Sequence, residues 1–102
     1  RGQETYGEDP YLTSRMGVEF VKGLQGDDPK YLKLVATAKH FAVHSGPEAD
    51  RHHFDVHPTE RDRFETYLPA FQSPVRERMA TSVMGAYNLV NGASASASAR
   101  HR

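Results

Sequence analysis

The sequence has 102 residues, enough for one small domain and too few for a second core. Only 37% of them are hydrophobic, so any core is thin, and 13 basic residues balance 13 acidic ones, leaving no electrostatic draw towards nucleic acid or a membrane surface. The absence of cysteine excludes disulfides and thiolate metal sites, and no apolar run is long enough to span a bilayer.

The chain opens on Arg1-Gly2-Gln3-Glu4-Thr5 with no initiator methionine and reads as the interior of a longer polypeptide. Asp9 is placed to cap a helix whose first position is Pro10, where the missing N–H is harmless. Leu12, Met16, Phe20, Val21 and Leu24 then share one face, and Gly23 or Gly26 supplies the stop. Leu34-Val35-Ala36-Thr37-Ala38 is a nearly continuous apolar run leading into Lys39-His40 and predicts a buried strand.

A second helix is predicted from Thr59, whose hydroxyl can cap, with Asp62 three positions on as in a capping box. Phe64, Tyr67, Leu68, Phe71 and Val75 form its expected buried stripe. Pro69 and Pro74 each remove a backbone donor, which predicts a kink or early end near Ser73. The segment from Thr81 to Asn88 repeats the first strand's design, apolar first and polar at its end. Residues 93–99 alternate alanine and serine with nothing to bury, so residues 93–102 are expected to form a flexible, low-complexity tail behind a folded segment of residues 1–92.

Strands apolar on both faces suit a parallel sheet covered by helices. The element order therefore predicts an α/β fold, a βαβ unit of about two strands and two helices with parallel strands and a helical crossover. It is too short for a closed eight-stranded barrel, which takes roughly 250 residues. In such folds ligands bind at the carboxyl ends of the strands, where Lys39 and His40 follow the first strand and Tyr87 and Asn88 the second. Two readings of these residues stand side by side. Lys39 reaches solvent and His40 bonds a backbone carbonyl, or both meet a ligand that satisfies them. His40, His44, His52, His53 and His57 also invite a zinc hypothesis, against which His52, His53, Arg51 and Asp55 read as a polar network at the edge of a pocket.

Three segments together resemble family 3 glycoside hydrolases, in the family's order and over about residues 1–92. They are Arg1-Gly2-Gln3-Glu4-Thr5-Tyr6-Gly7-Glu8-Asp9-Pro10-Tyr11-Leu12, then Ala38-Lys39-His40-Phe41-Ala42, then Ser82-Val83-Met84-Gly85-Ala86-Tyr87-Asn88. The bacterial β-glucosidase and β-xylosidase branch is the nearest in pattern. The resemblance implies a partial (β/α)8, TIM-type barrel and part of a retaining, exo-acting β-glycosidase. Its substrates would be β-linked glucosides, xylosides or short oligosaccharides. It further implies that Arg1, Lys39, His40 and Arg51 serve the sugar at the non-reducing end and that Met84 and Tyr87 form pocket wall. No catalytic residue, cofactor or metal is implied within the chain, because the family's nucleophile lies some thirty residues beyond Tyr87 and its acid/base elsewhere. Glu4, Glu8, Asp9, Glu48 and Asp50 read as loop, cap and supporting groups. A non-catalytic barrel piece or a weak carbohydrate-binding module is the alternative. The expected partners are the remainder of a barrel or a second copy meeting open sheet edges. Members of the family are often periplasmic or secreted.

Overall fold

The computed structural model describes residues 4–77 and 82–97. Helix α1 runs Pro10–Gln25, capped as the sequence predicts: the Asp9 carboxylate accepts from the amides of Tyr11 (2.8 Å) and Leu12 (3.2 Å). Gly26, at φ 74°, closes it. The buried face is rotated from the one expected, keeping Val21 and, half-buried, Leu24. Ser14, Val18, Val21 and Gln25 turn inward, while Leu12, Met16 and Phe20 lie outside, Phe20 at 57% exposure. Periodicity fixes a stripe on a helix but not what that stripe meets. Here the narrower side chains allow α1 to approach α3 (Pro69–Arg76), its main packing partner.

Buried Gln25 ties the helix end to residues 33–36: its carbonyl accepts from the Lys33 amide (3.0 Å) and its side-chain oxygen from the Ala36 amide (3.4 Å). Strand β1 spans Thr37–Phe41, about three residues later than the apolar run predicts. Leu34 and Val35 are exposed and precede it. β1 pairs in parallel with β3 (Ser82–Gly85), Thr37 opposite Ser82 and Lys39 opposite Met84, with an irregularity between Lys39 and Phe41. The Lys39–His40 and Phe41–Ala42 peptide bonds are cis. The βαβ unit with parallel strands and a helical crossover is thus present; Thr81 lies outside the described residues.

The crossover begins at α2 (Glu60–Asp62), where the Thr59 hydroxyl accepts from the Asp62 amide (3.1 Å) and donates to its carboxylate (2.7 Å). The expected break near Ser73 falls instead at residues 63–67. Pro69 has no N–H to continue the helical ladder, and the Leu68 amide reaches back five residues to the Arg63 carbonyl (2.8 Å), giving one π-turn over Arg63–Tyr67. Pro69 then starts α3, which continues past Ser73 to Arg76 with Pro74 inside it. Leu68 is buried as predicted and Phe71 half-buried, whereas Phe64, Tyr67 and Val75 are exposed.

A second sheet arises where none is expected. β2 (Asp55–Val56) pairs in parallel with β4 (Leu89–Val90), and β4 pairs antiparallel with β5 (Ala93–Ser94). The two residues joining β4 to β5, Asn91 (φ 50°) and Gly92 (φ 79°), are both left-handed, the geometry of a type I′ hairpin. Asp55 accepts from the Gly92 amide (3.0 Å). The alanine-serine stretch therefore departs from a tail over the part described, for Ala93 and Ser94 form β5 and Ala95 is buried with Ala86 and Val90. Residues 98–102 lie outside the described residues. The core is thin, as composition requires: Val18, Val21, Ala36, Ala42, Leu68, Ala86, Val90 and Ala95.

Because Asp9 answers two otherwise unsatisfied amides of α1, Asp9→Ala is expected to remove about 1 kcal/mol of stability. A urea titration should show a lower midpoint with an unchanged slope.

Candidate functional site

The carboxyl ends of β1 and β3 lie side by side, because the parallel register places Lys39 opposite Met84 and Phe41 opposite Gly85, and the Ala86 amide donates to the Phe41 carbonyl (2.8 Å). Residues just past these ends are therefore neighbours whatever their separation in sequence. Lys39 and Met84, register partners in a parallel pair, point to the same face. Both are exposed.

Around them the loop after β1 folds back. Its first residue, Ala42, is fully buried, and Val43 adopts φ 52°. That conformation is costly for a β-branched side chain, of order 1–3 kcal/mol, and is kept only when the surroundings over-determine it. The turn brings the His44 ring to 4.6 Å from the His40 ring. A short 3₁₀ turn comes next, over Glu48–Asp50, and Gly46 lies so close to the Phe54 ring that a Cβ there would sit 2.7 Å from it. The loop's return leg is stitched down by β2, with the Leu89 amide donating to the Phe54 carbonyl (2.9 Å). His52, on this leg, stacks on the Tyr87 ring at 4.7 Å.

Lys39, His40, Arg51, Met84 and Tyr87 thus share one end of the fold, and Arg1 lies outside the described residues. Lys39 pairs with Glu4 (3.3 Å) and Arg51 with Glu48 (3.2 Å), so the Glu4 segment joins the cluster from the N-terminal side. Both pairs are half exposed. Such bonds are worth at most about 1 kcal/mol and exchange readily for a ligand. Partial burial holds the His40 imidazole below its ordinary value, and the charges of Lys39 and Arg51 push it the same way against the opposing pull of Glu4. His40 is accordingly neutral at pH 7, with one nitrogen to donate and one to accept. The arrangement offers two cations, an amphoteric ring and an aromatic wall around one open surface. These groups suit a polyhydroxylated ring, where several fixed donors address adjacent hydroxyls.

Two features of the site were not read from the sequence, the contact of His52 with Tyr87 and the burial of Asn88. The His52–Tyr87 stack depends on a loop conformation that no local pattern encodes. Asn88, expected among the polar residues at the strand end, is fully buried and braces the turn after β1. Among the described residues, no group of three or more histidines and carboxylates is gathered closely enough to hold a metal ion. Nor is any described helix long and apolar enough to cross a membrane.

Comparison with known proteins shows the family. The profile of the glycosyl hydrolase family 3 N-terminal domain matches residues 1–101. The chain belongs to glycoside hydrolase family 3. A xylan 1,4-β-xylosidase of Xylanibacter ruminicola is 60% identical over 89 residues, covering 85% of this chain and 10% of that protein. Among solved structures, a family 3 exo-β-xylosidase in complex with a xylobiose aziridine probe superposes with a TM-score of 0.85 at 41% identity, over 93% of this chain and 13% of that one. A Listeria innocua β-glucosidase in complex with glucose gives 0.77 at 35% identity, over 93% and 14%. The chain therefore spans about a tenth of the length of the Xylanibacter xylosidase. The βαβ unit is a piece of the family's N-terminal barrel architecture.

His40's depressed pKa has a definite sign. Between its folded value and the ordinary 6.5 the unfolded chain binds more protons, so this residue's contribution to stability is complete above 6.5 and falls as pH drops through that window. Histidine ring NMR is expected to show His40 titrating below 6.5, and Lys39→Met should move the value upward by removing one of the two cations.

Proposed function

We propose that this chain supplies part of the sugar-binding pocket of a retaining, exo-acting β-glycosidase, a β-xylosidase or β-glucosidase acting on non-reducing-end residues. The observation that carries the reading is the convergence of Lys39, His40, Arg51, Met84 and Tyr87 on the carboxyl end of one parallel strand pair. The names of the relatives point the same way. Lys39 and Arg51 donate to ring hydroxyls, neutral His40 donates or accepts, and Met84 and Tyr87 form wall. Arg1 takes a further donor's place in this scheme.

Retaining hydrolysis needs a nucleophile and an acid/base about 5–5.5 Å apart. The carboxylates around the cluster are already engaged: Glu4 by Lys39, Glu48 by Arg51, Asp50 by His53, and Asp55 by His57 and the Gly92 amide. This favours a role for the segment in recognition, with the two reacting carboxylates supplied from elsewhere in the enzyme. Holding the sugar ring fixed is still a catalytic contribution, because hydroxyl contacts of this type tighten as the transition state forms.

In the full-length enzyme, Lys39→Met is expected to lower kcat/KM for an aryl β-xyloside or β-glucoside by about 30- to 150-fold, the equivalent of one charged hydrogen bond of about 2–3 kcal/mol. An unchanged kcat/KM would remove Lys39 from the pocket. Isotope-labelled chain titrated with xylose or glucose should shift the signals of Lys39, His40, Arg51 and Tyr87 first. Shifts centred on α1 would sink the proposal.

The exposed Leu12, Met16 and Phe20 of α1, together with Leu34, Val35 and Val83, form faces that further barrel elements or a second copy would cover. On its own the chain is expected to sediment as concentration-dependent oligomers. A compact monomer at all concentrations would contradict this.

A further inference from the structure

Asn88 is a buried polar side chain that links the two strand ends, and the sugar-contacting roles assigned to its neighbours leave it without one. It is 0% exposed, with Nδ2 3.3 Å from the Ala42 carbonyl, 3.2 Å from the Val43 carbonyl and 3.2 Å from the Leu89 carbonyl. Three acceptors around a two-hydrogen donor fix the amide's orientation, nitrogen towards the carbonyls. Its Oδ1 has no hydrogen-bond partner among the described residues.

The two carbonyls of Ala42 and Val43 flank the dihedral angles of Val43. Holding both planes sets φ and ψ at the residue standing at φ 52°, where valine does not settle unaided. The next residue is His44, whose ring rests 4.6 Å from that of His40. On one side of Asn88 is Leu89, whose amide holds the loop's return leg at Phe54; on the other is Tyr87, which stacks on His52. One side chain thereby ties the outgoing arm of the loop to the strand whose end anchors its return.

We propose that Asn88 is a positioning residue: by donating to the Ala42 and Val43 carbonyls it locks the left-handed turn after β1, and so sets the His40–His44 pair against the sugar. The part concerning sugar rests on the proposed pocket function, whereas the part concerning the turn stands on geometry alone. The Asn88 amide touches no substrate and acts through His40 and His44.

The test uses the labelled chain with Asn88→Ala, which removes the amide outright, and Asn88→Leu, similar in volume and apolar. NMR of the unsubstituted chain is expected to show His40–His44 ring-to-ring NOEs and a left-handed coupling at Val43. Both variants should lose these signals while the β1–β3 cross-strand NOEs persist, and sugar affinity should fall about tenfold, as for one lost hydrogen bond. Should Asn88→Leu fail to fold, Asn88→Ala alone decides. Retention of the ring NOEs and the Val43 coupling in a folded variant would overturn the inference. If the unsubstituted chain shows the ring contact but binds neither xylose nor glucose, the pocket function fails while the NOEs still judge the turn.

Discussion

The parallel pairing of β1 with β3 is the constraint on which the rest of the structure depends. A parallel ladder aligns the carboxyl ends of two strands that are some forty residues apart in the chain. Once Lys39 stands opposite Met84, the residues after each strand have no choice but to be neighbours. The loop leaving β1 and the chain leaving β3 then zip further, through the Ala86 amide, Asn88 and the β2–β4 pair. The cluster at the strand ends is assembled by this sequence of backbone commitments, and its side chains contribute little to holding it together.

That division of labour explains the electrostatics. The ion pairs of Lys39 and Arg51 are half exposed, so each adds little to stability. Buried cations would have demanded permanent partners and would resist exchange. Exposed ones placed by a rigid backbone can trade a carboxylate for a hydroxyl at small cost. Partial burial first, and then the same cations, lower the His40 pKa, which preserves the acceptor nitrogen that a protonated ring would lose.

Local chemistry was legible in the sequence wherever a single residue answers a single backbone demand. Asp9 and Thr59 cap where their positions say they should, because capping involves neighbours three residues apart. The polar ends of the two strands were readable for the same reason. Orientation was not: Leu12, Met16 and Phe20 make as good a stripe as Ser14, Val18 and Val21, and only the partner helix decides between them. The start of β1 was misjudged because Leu34 and Val35 are apolar without being buried. Asn91-Gly92 carried a hairpin signal that the surrounding alanine-serine repeat concealed. The π-turn shows the reverse case, a correct cause in Pro69 whose effect falls before the proline rather than after it.

These successes and failures have one origin. Caps, turns and the two-residue hairpin are complete within the chain, while its large apolar side chains face outward and its core is built mainly of alanine and valine. A segment of this kind combines local consistency with a few long-range terms, the two parallel strand pairs and the packing of α1 on α3. Its helix caps and hairpin are chosen by neighbours close in sequence, its two parallel strand pairs are not, and its outer α1 stripe is left uncovered. The turn held by Asn88 is likewise complete within the chain: it needs only the two strand ends, which the β1–β3 pairing brings together.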